Sequence, residues 1–347
     1  MSNIVFQLSY LLLASVITFL CIPPYIRFLY RHHIGKKIRE EGLIGKAVEF
    51  SKLHAGKIGT PTMGAGVILF VVLILVIGSM MLQYFGPRFG IDVRYSLWNR
   101  NETYLALFTL FTVGAIGFID DYLNVREIGR TKGLSARVKL ILIFLFGTLG
   151  AFWFYFKLEQ TGISIPFFPN IDLGYFYIPF FVLIIATMAN SVNITDGLDG
   201  LAGGLLLFNY ALYAFICYDH DLKILSALCL IISGSLISFL WFNIKPAAFY
   251  MGDLGSLSLG ATLAVIAMMT DTLVVLLISG AIFWLELVSV IIQLLSKKFR
   301  NGKKVFRIAP FHHHLEAIGL CEENIVMRFW IIGMILAVLG GVISQLI

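Results

Sequence analysis

Long apolar runs constrain this chain more than any other feature of its sequence. Each of ten runs approaches the roughly 20 apolar residues that a helix needs to cross a bilayer. Hydrophobic residues make up 59% of the 347 in the chain and charged residues only 13%, whereas an ordinary soluble domain carries about 25% charged residues. The sequence therefore predicts an all-α, polytopic integral membrane protein with ten transmembrane helices in a single domain, residues 1–347. The runs begin near Val5, Thr62, Thr103, Val138, Phe176, Leu201, Ile224, Leu254, Leu273 and Ile325.

The distribution of Lys and Arg predicts which loops face the cytoplasm. We expect the first run to be retained, because Val5 to Phe28 is too long for a signal-peptide core and no basic residue precedes it. The loops after spans 1, 3, 5, 7 and 9 then carry 21 of the 26 basic residues. Cytoplasmic loops are the basic ones, so both termini are expected to be extracytoplasmic. The basic face suits anionic membrane lipid, and its loops lack the stacking aromatics of a nucleic-acid site.

Five aspartates stand beside the ends of apolar runs, and this topology places all of them on the cytoplasmic side. A carboxylate at bilayer depth costs about 2.5 to 3.5 kcal/mol, so their convergence favours a shared cation or a water-filled cleft. Asp120 and Asp121 point about 100° apart on a helix, which predicts different roles for the two carboxylates. An Asp pair that merely marks the membrane interface is the alternative. The five are Asp120, Asp121, Asp196, Asp199 and Asp253.

The segments around three of these aspartates have the composition of a phosphate site. Asn193 to Gly200 is richer in Asn, Asp and Gly than a turn between spans requires, and its glycines allow close approach of the backbone to a ligand. Asp253 directly precedes span 8, where unpaired N–H groups attract phosphate, although a simple helix cap is the alternative. Carboxylate and amide oxygens favour Mg²⁺. The pattern predicts transfer of a phosphorylated group, with Mg²⁺ neutralising a diphosphate.

Two further groups of polar residues lie in loop 5 and span 9. Adjacent histidines at 312–314 diverge around a helix, and no second Cys or His cluster completes a zinc site. Phosphate contact or proton transfer near neutral pH is therefore favoured over zinc, with a solvated loop as the alternative. Glu286, Ser289 and Gln293 form a polar stripe at i, i+3 and i+7 of span 9. An intramembrane Glu is expected to be functional or paired.

At these motifs the chain resembles the phospho-N-acetylmuramoyl-pentapeptide transferase family, within the polyprenyl-phosphate N-acetylhexosamine-1-phosphate transferase superfamily. The motifs appear in family order over nearly the whole chain. That family transfers phospho-MurNAc-pentapeptide from UDP-MurNAc-pentapeptide to undecaprenyl phosphate in the bacterial cytoplasmic membrane, forming lipid I and releasing UMP. The matching segments are Gly59 to Gly64 (GTPTMG), Asp120 to Tyr122 (DDY), Lys132 to Arg137 (KGLSAR), Asn193 to Gly200 (NITDGLDG), Met251 to Ser256 (MGDLGS) and Pro310 to Glu316 (PFHHHLE).

The resemblance implies a role for each matching residue. Mg²⁺ is the implied cofactor, with Asp253 and Asp121 as its ligands, and the implied catalytic residues are Asp120, Asp121, Asp253 and His312. Tyr250 is an aromatic that suits stacking on uracil. The residues implied to bind substrate are Lys57, Thr60, Asn193, Asp196, Asp199, Asn243, Tyr250, His313, His314, Glu286 and Gln293.

Two departures and two rival functions accompany this interpretation. Asn124 stands where the family often has a lysine, and the usual glutamine shortly after Lys139 is missing, which bears on peripheral phosphate or lipid contacts. A transferase of GlcNAc-1-phosphate from UDP-GlcNAc to the same lipid would share the aspartates. A secondary transporter would instead place polar residues near the bilayer midplane, where only the stripe at Glu286 lies. A homodimer is left open.

Overall fold

The structure, a computed structural model, describes residues 3–35, 41–42, 45–46, 59–90, 96–99, 101–128 and 133–346. These residues are mostly helical, with two short pairs of antiparallel strands, β1 Glu41–Gly42 with β2 Gly45–Lys46 and β3 Gly162–Ile163 with β4 Ile171–Asp172. The α-helices are α1 Asn3–Arg31, α2 Gly66–Phe85, α3 Tyr104–Val125, α4 Ala136–Lys157, α5 Tyr177–Thr195, α6 Leu201–Asp219, α7 Lys223–Asn243, α8 Gly252–Met269, α9 Leu273–Ser279, α10 Ala281–Phe299, α11 Phe311–Ala317 and α12 Glu322–Ser344.

The helices confirm an all-α polytopic membrane protein. Within the described residues, nine helices are long and apolar enough to cross a membrane, and α9 with α10 make a tenth span if the pair is counted as one. The sequence predicted this ninth run as a continuous span, but its two helices meet at 76°. The break falls at Gly280, whose φ of −92° and ψ of 11° leave the helical region, and glycine is a weak helix former. The polar stripe of Glu286 therefore lies on α10 alone.

Helix α8 is the centre of the bundle. All residues from Leu254 to Met268 are buried, as expected of a helix that is apolar around its whole circumference. Helices α3 and α5 pack along it, whereas α1 and α12 leave most of their apolar side chains exposed at the periphery. The central position of α8 brings its first turn, which contains Asp253, against the ends of its neighbours.

A glycine sets the distance between α3 and α8. A Cβ atom built on Gly117 would lie 2.3 Å from the backbone oxygen of Asp253 and 2.6 Å from Cα of Leu254. Only a residue without a side chain allows this approach, which is a common device for close packing of membrane helices. It places Asp120 and Asp121, one turn further along α3, beside the first turn of α8.

The elements that carry the predicted aspartates end or begin at one end of the bundle, called here the aspartate end. The C-terminal ends of α3, α5 and α7 meet the N-terminal ends of α4, α6 and α8 there, and hydrogen bonds link these ends to one another. The predicted convergence of the acidic residues on one face is confirmed. Two elements from late in the chain, α11 and the start of α12, also contact this end.

We expect the substitution Gly117→Ala to lower the free energy of unfolding by about 1 to 3 kcal/mol, as overpacking of a close contact does. The added methyl group would meet backbone atoms of α8, which cannot rotate away. Thermal unfolding of the detergent-solubilised protein measures the effect. Gly78→Ala in α2 is the matched control, since a Cβ atom added there would have nothing within 4 Å. Equal melting temperatures for the two variants would contradict the packing argument.

Candidate active site

A polar cavity of about 160 Å³ lies at the aspartate end. Its walls come from α3, α5, α8, the α5–α6 loop and the connections that precede α2 and α8, so side chains distant in sequence share one small space. Three carboxylates and two side-chain amides are among the groups that line it, which is the chemistry of a site for cations and for phosphates bound through cations. The lining residues are Gly35, Thr62, Asp121, Asn124, Val125, Asn193, Asp196, Tyr250, Gly252 and Asp253.

One lysine joins two of the predicted aspartates. Nζ of Lys139, in the first turn of α4, lies 3.1 Å from Oδ2 of Asp120 and 2.7 Å from Oδ2 of Asp253. Asp120 is buried and also accepts a hydrogen bond of 2.6 Å from the backbone N–H of Leu134. Both of its oxygens thus have partners, and it is absent from the lining of the cavity. Asp120 is placed to hold Lys139 rather than to face a ligand.

Asp253 is fixed on both sides. The side-chain amide of Asn193 donates hydrogen bonds to Oδ1 of Asp253 at 2.8 Å and to Oγ of Ser256 at 2.9 Å. The carboxylate stands in the first turn of α8 rather than at its cap, which is Met251. The positive end of the helix dipole lies there, and it favours an ionised carboxylate. Asn193 and Asp253 were predicted to belong to one site, and the structure brings them into contact.

Asp121 points in a different direction from its neighbour, as the helical spacing predicts. Its Oδ2 accepts a hydrogen bond of 3.1 Å from the backbone N–H of Leu254, one of the unpaired donors in the first turn of α8. Its side chain lines the cavity, whereas that of Asp120 does not. Of the adjacent pair, Asp121 is the carboxylate available to a ligand.

The loop between α5 and α6 meets the site through Asp196. Oδ2 of Asp196 lies 3.3 Å from the backbone nitrogen of Gly252, and the side chain lines the cavity. Asp199 instead accepts from the backbone N–H of Ala247, and Asn243 accepts from that of Gly200. These two bonds tie the α5–α6 loop to the α7–α8 loop, so Asp199 and Asn243 lie behind the cavity rather than on its wall.

Glu322, at the start of α12, fastens the same two loops from outside. Oε1 of this buried carboxylate accepts a hydrogen bond of 2.8 Å from the backbone N–H of Asp199. Its Oε2 lies 3.2 Å from Nζ of Lys245, which is 2.9 Å from Glu323. One carboxylate therefore holds a residue of each loop.

Tyr250 presents a mostly buried aromatic ring at the wall of the cavity. Burial raises the pKa of its hydroxyl, and the carboxylate of Asp199 raises that pKa further, while a hydrogen bond with Thr60 acts in the opposite direction. The phenol is thus protonated at neutral pH and able to donate a hydrogen bond. The predicted stacking of Tyr250 on uracil stays a prediction.

The three histidines have separate surroundings. Nδ1 of His313 lies 2.6 Å from Oε2 of Glu316, and Nδ1 of His314 accepts from the backbone N–H of Arg307 at 3.3 Å. His312 is fully buried beside Glu286. The imidazole is thus the partner of this intramembrane carboxylate, which the sequence alone did not identify. The divergence predicted for consecutive histidines is wrong for the first two, because the ring centroids of His312 and His313 are 4.1 Å apart and Nε2 of each lies near Gly197 of the α5–α6 loop.

Gln293 serves the loop that leads to these histidines. Its Oε1 accepts hydrogen bonds of 3.0 Å from the backbone N–H groups of Val305 and Phe306, and its Nε2 donates to the carbonyl of Phe306. Both ends of the amide are used by the chain itself. Lys57, also predicted to bind substrate, lies outside the described residues.

The donors around the cavity fit Mg²⁺. Within the part of the chain that the structure describes, no three His, Cys, Asp or Glu side chains are grouped closely enough to hold a metal by themselves. Mg²⁺ characteristically takes one or two carboxylates and completes its shell with water and substrate phosphates. Asp121 and Asp253, which share the cavity wall, supply such a pair.

Sequence reasoning missed two residues of this site, Lys139 and Glu322. Lys139 is a cation in the first turn of a membrane helix, a position that topology alone explains, and only its two carboxylate partners reveal its role. Glu322 begins the last span, where an acidic residue is ordinarily a favourable helix start. The sequence gives only a weak signal for Lys139 or Glu322, because the partners of each side chain depend on how helices distant in sequence pack together.

We expect Lys139→Met to lower the free energy of unfolding on the order of 2 kcal/mol, because it leaves the buried carboxylate of Asp120 without its cation. The double variant Lys139→Met with Asp120→Asn removes the unpaired charge as well, so it should regain much of the lost stability. Thermal unfolding in detergent compares the two. If the double variant is no more stable than Lys139→Met alone, then Lys139 does not stabilise the protein by neutralising the charge of Asp120.

Comparison with known proteins finds relatives along nearly the whole chain. A family model described as Glycosyl transferase family 4 matches residues 103–271. Proteins named phospho-N-acetylmuramoyl-pentapeptide-transferase are 38% identical in Thermodesulfovibrio yellowstonii, covering 93% of this chain and 88% of the relative, and 37% identical in a Geobacillus species, covering 95% of each. The relative in Pelobacter propionicus is 39% identical over 94% of this chain and 89% of its own. With these lengths and identities, the chain belongs to the phospho-N-acetylmuramoyl-pentapeptide transferase family.

Proposed function

We propose that this protein transfers phospho-MurNAc-pentapeptide from UDP-MurNAc-pentapeptide to undecaprenyl phosphate, forming lipid I and releasing UMP. The observation that carries the proposal is the cavity in which Asp121, Asn193, Asp196 and Asp253 meet at one end of a membrane-spanning bundle. Family membership supports the identity of the two substrates. The position at a span end suits a reaction between a water-soluble donor and an acceptor held in the membrane.

The reaction is a displacement at phosphorus. An oxygen of the lipid phosphate attacks the β-phosphate of the donor, a new P–O bond forms, and the bond to the UMP oxygen breaks. Both reactants are anions, so the site must limit their repulsion. Lys139 offsets part of the negative charge that Asp120 and Asp253 bring to this end of the bundle.

The structure favours a division of labour between the adjacent aspartates. Asp120 was expected to deprotonate or position the lipid phosphate, but its two oxygens are engaged by Lys139 and the backbone of Leu134. Asp121 lines the cavity, where its carboxylate accepts a hydrogen bond from the backbone N–H of Leu254. Asp121 is therefore the better placed of the two to accept a proton from, or orient, the attacking phosphate.

Mg²⁺ is the cofactor that this proposal includes, with Asp253 and Asp121 as its protein ligands. When bound, it would neutralise charge on the donor diphosphate and on the departing UMP. Asn193 keeps the carboxylate of Asp253 oriented, through the hydrogen bond to Oδ1. The uracil end of the donor is assigned to the wall formed by Tyr250.

The membrane orientation belongs to the same proposal. The loops at the aspartate end are those that carry most of the Lys and Arg residues, and basic loops stay in the cytoplasm. The site then faces the cytoplasm of a bacterium, at the inner membrane, with both termini on the outer side. This is the compartment in which a nucleotide-linked donor is expected.

We expect Asp253→Asn to abolish Mg²⁺-dependent release of UMP by the purified protein supplied with both substrates, because the substitution removes the charge of the proposed metal ligand. UMP release and lipid I formation are both measured. The control is Asp271→Asn, an aspartate beyond the far end of α8 whose carboxylate accepts hydrogen bonds from Ser164; this variant should retain transfer. Full turnover by Asp253→Asn would refute the metal assignment.

Assays with different donors distinguish the proposed activity from the two alternative functions. UDP-GlcNAc in place of the muramoyl donor should give no UMP, and turnover with UDP-GlcNAc would identify the GlcNAc-1-phosphate transferase instead. Accumulation of solute in sealed vesicles without UMP formation would point to a transporter.

A single displacement predicts that no phosphate is transferred to the protein. Wild-type protein incubated with Mg²⁺ and a donor labelled at its β-phosphate, without the lipid acceptor, should carry no label after denaturation. Asp120 and Asp121 are the candidates for a covalent intermediate, so the variants Asp120→Asn and Asp121→Asn serve as comparisons. Label on wild-type protein that either substitution removes would establish a two-step reaction.

A further inference from the structure

His312 is a buried imidazole whose ring nitrogens both lack a hydrogen bond. The residue is fully buried, and neither Nδ1 nor Nε2 makes a hydrogen bond with any part of the chain that the structure describes. Nδ1 lies 3.0 Å from Oε2 of Glu286, close enough for an ion pair but outside hydrogen-bond geometry. A buried polar group left unpaired costs about 1 to 3 kcal/mol, so such a ring calls for an explanation beyond stability.

Glu286 contacts His312 through the backbone of the histidine as well as through its ring. The backbone N–H of His312 lies 3.2 and 3.3 Å from the two carboxylate oxygens of Glu286, which is itself fully buried. The carboxylate thus fixes the position of the residue and sits beside Nδ1. A carboxylate in this place favours a proton on Nδ1 and leaves Nε2 as the nitrogen able to accept a hydrogen bond.

Nε2 of His312 is directed at the α5–α6 loop. A Cβ atom built on Gly197 would lie 2.3 Å from Nε2 of His312 and 3.2 Å from Nε2 of His313. Gly197 follows Asp196, a residue of the cavity wall. The absence of a side chain at Gly197 therefore keeps the imidazole next to the segment that borders the cavity.

The neighbouring pair of His313 and Glu316 differs from the pair of His312 and Glu286. Nδ1 of His313 is hydrogen-bonded to Oε2 of Glu316 at 2.6 Å, so the bond between that imidazole and its carboxylate is already made. In the His312 pair the carboxylate of Glu286 accepts from the backbone N–H of His312, and its bond to the ring nitrogen Nδ1 is not made. A polar group that bound Nε2 would orient the ring and complete that bond.

We infer that Glu286 is a positioning residue, which acts on the donor substrate through His312 and does not contact the substrate itself. The carboxylate holds His312 so that Nε2 stays against Gly197, and the imidazole thereby supports the segment with Asp196 that borders the cavity and would meet the nucleotide diphosphate part of the donor. This inference rests on the proposed function for the identity of the donor. It differs from the expectation that Glu286 binds substrate directly.

The test combines kinetics with NMR of the intact protein in detergent. Glu286→Gln should raise KM for UDP-MurNAc-pentapeptide by about tenfold, the lower end of what loss of an orienting carboxylate costs, with a smaller change in kcat and none in KM for the lipid. In protein with isotope-labelled histidine, UDP should shift the Nε2 resonance of His312 in the wild type but not in Glu286→Gln. The resonance is assigned by its loss in His312→Asn.

Three further variants separate positioning from general damage. Ser289→Ala changes the same buried face one turn away and removes a hydroxyl that donates to the backbone carbonyl of Glu286; it should leave KM and the His312 signal unchanged. Glu286→Asp keeps the charge and should recover part of the lost affinity. Gly197→Ala, which leaves Glu286 intact, should raise the same KM because its methyl group displaces the imidazole.

Each outcome of these experiments either supports or overturns the positioning role of Glu286. A Glu286→Gln variant with wild-type KM and a normal UDP response overturns the inference, and so does an equal loss in Ser289→Ala. If Glu286→Gln does not fold, the responses of Glu286→Asp and Gly197→Ala decide the matter in the same way. If the wild type makes no UMP, the proposed function fails, whereas the effect of UDP on His312 still reports whether Glu286 orients the ring.

Discussion

The contact of one ammonium group with two carboxylates holds the aspartate end together. Lys139 lies between Asp120 on α3 and Asp253 on α8, and Gly117 lets those helices approach closely enough for one cation to reach both. Carboxylates gathered at the edge of a low-dielectric bundle repel each other strongly. The lysine relieves that repulsion, and Asp121 and Asp253 line the cavity beside it.

Acidic side chains of the aspartate end repeatedly bind backbone N–H groups of other elements. A carboxylate that accepts from a backbone donor is oriented by that donor, so the same residues join the chain together and set the directions of the carboxylates at the site. In this arrangement a single residue has both a structural role and a chemical role. The pairs are Asp120 with Leu134, Asp121 with Leu254, Asp199 with Ala247, Glu322 with Asp199 and Glu286 with His312.

The sequence predicted what depends on local pattern. Apolar runs determined the helices, and the alternation of loops placed Asp121, Asp196 and Asp253 at one end, where the structure has them. The pattern could not reveal the break at Gly280, because a single glycine in an apolar run is common in membrane helices. It also could not assign partners across the bundle. Glu286 meets His312 and Lys139 meets Asp253 only because α10, α11, α4 and α8 pack as they do.

The resemblance gave individual roles that the geometry separates more finely. Asp120 and Asp121 are adjacent in sequence, yet one is committed to Lys139 and the other faces the cavity. Asn243 and Gln293 were expected at the ligand, and both amides are instead engaged by backbone groups of nearby loops. Such distinctions depend on the direction in which a side chain points, and the order of motifs along the sequence does not determine that direction.

Glu322 ties the completion of the site to the order of synthesis. Its carboxylate on α12 holds Asp199 and Lys245, which belong to loops made much earlier along the chain. During insertion into the membrane those loops leave the ribosome before the residue that secures them. The α5–α6 and α7–α8 loops can therefore be fastened to each other through Glu322 only after the start of the last helix has been synthesised.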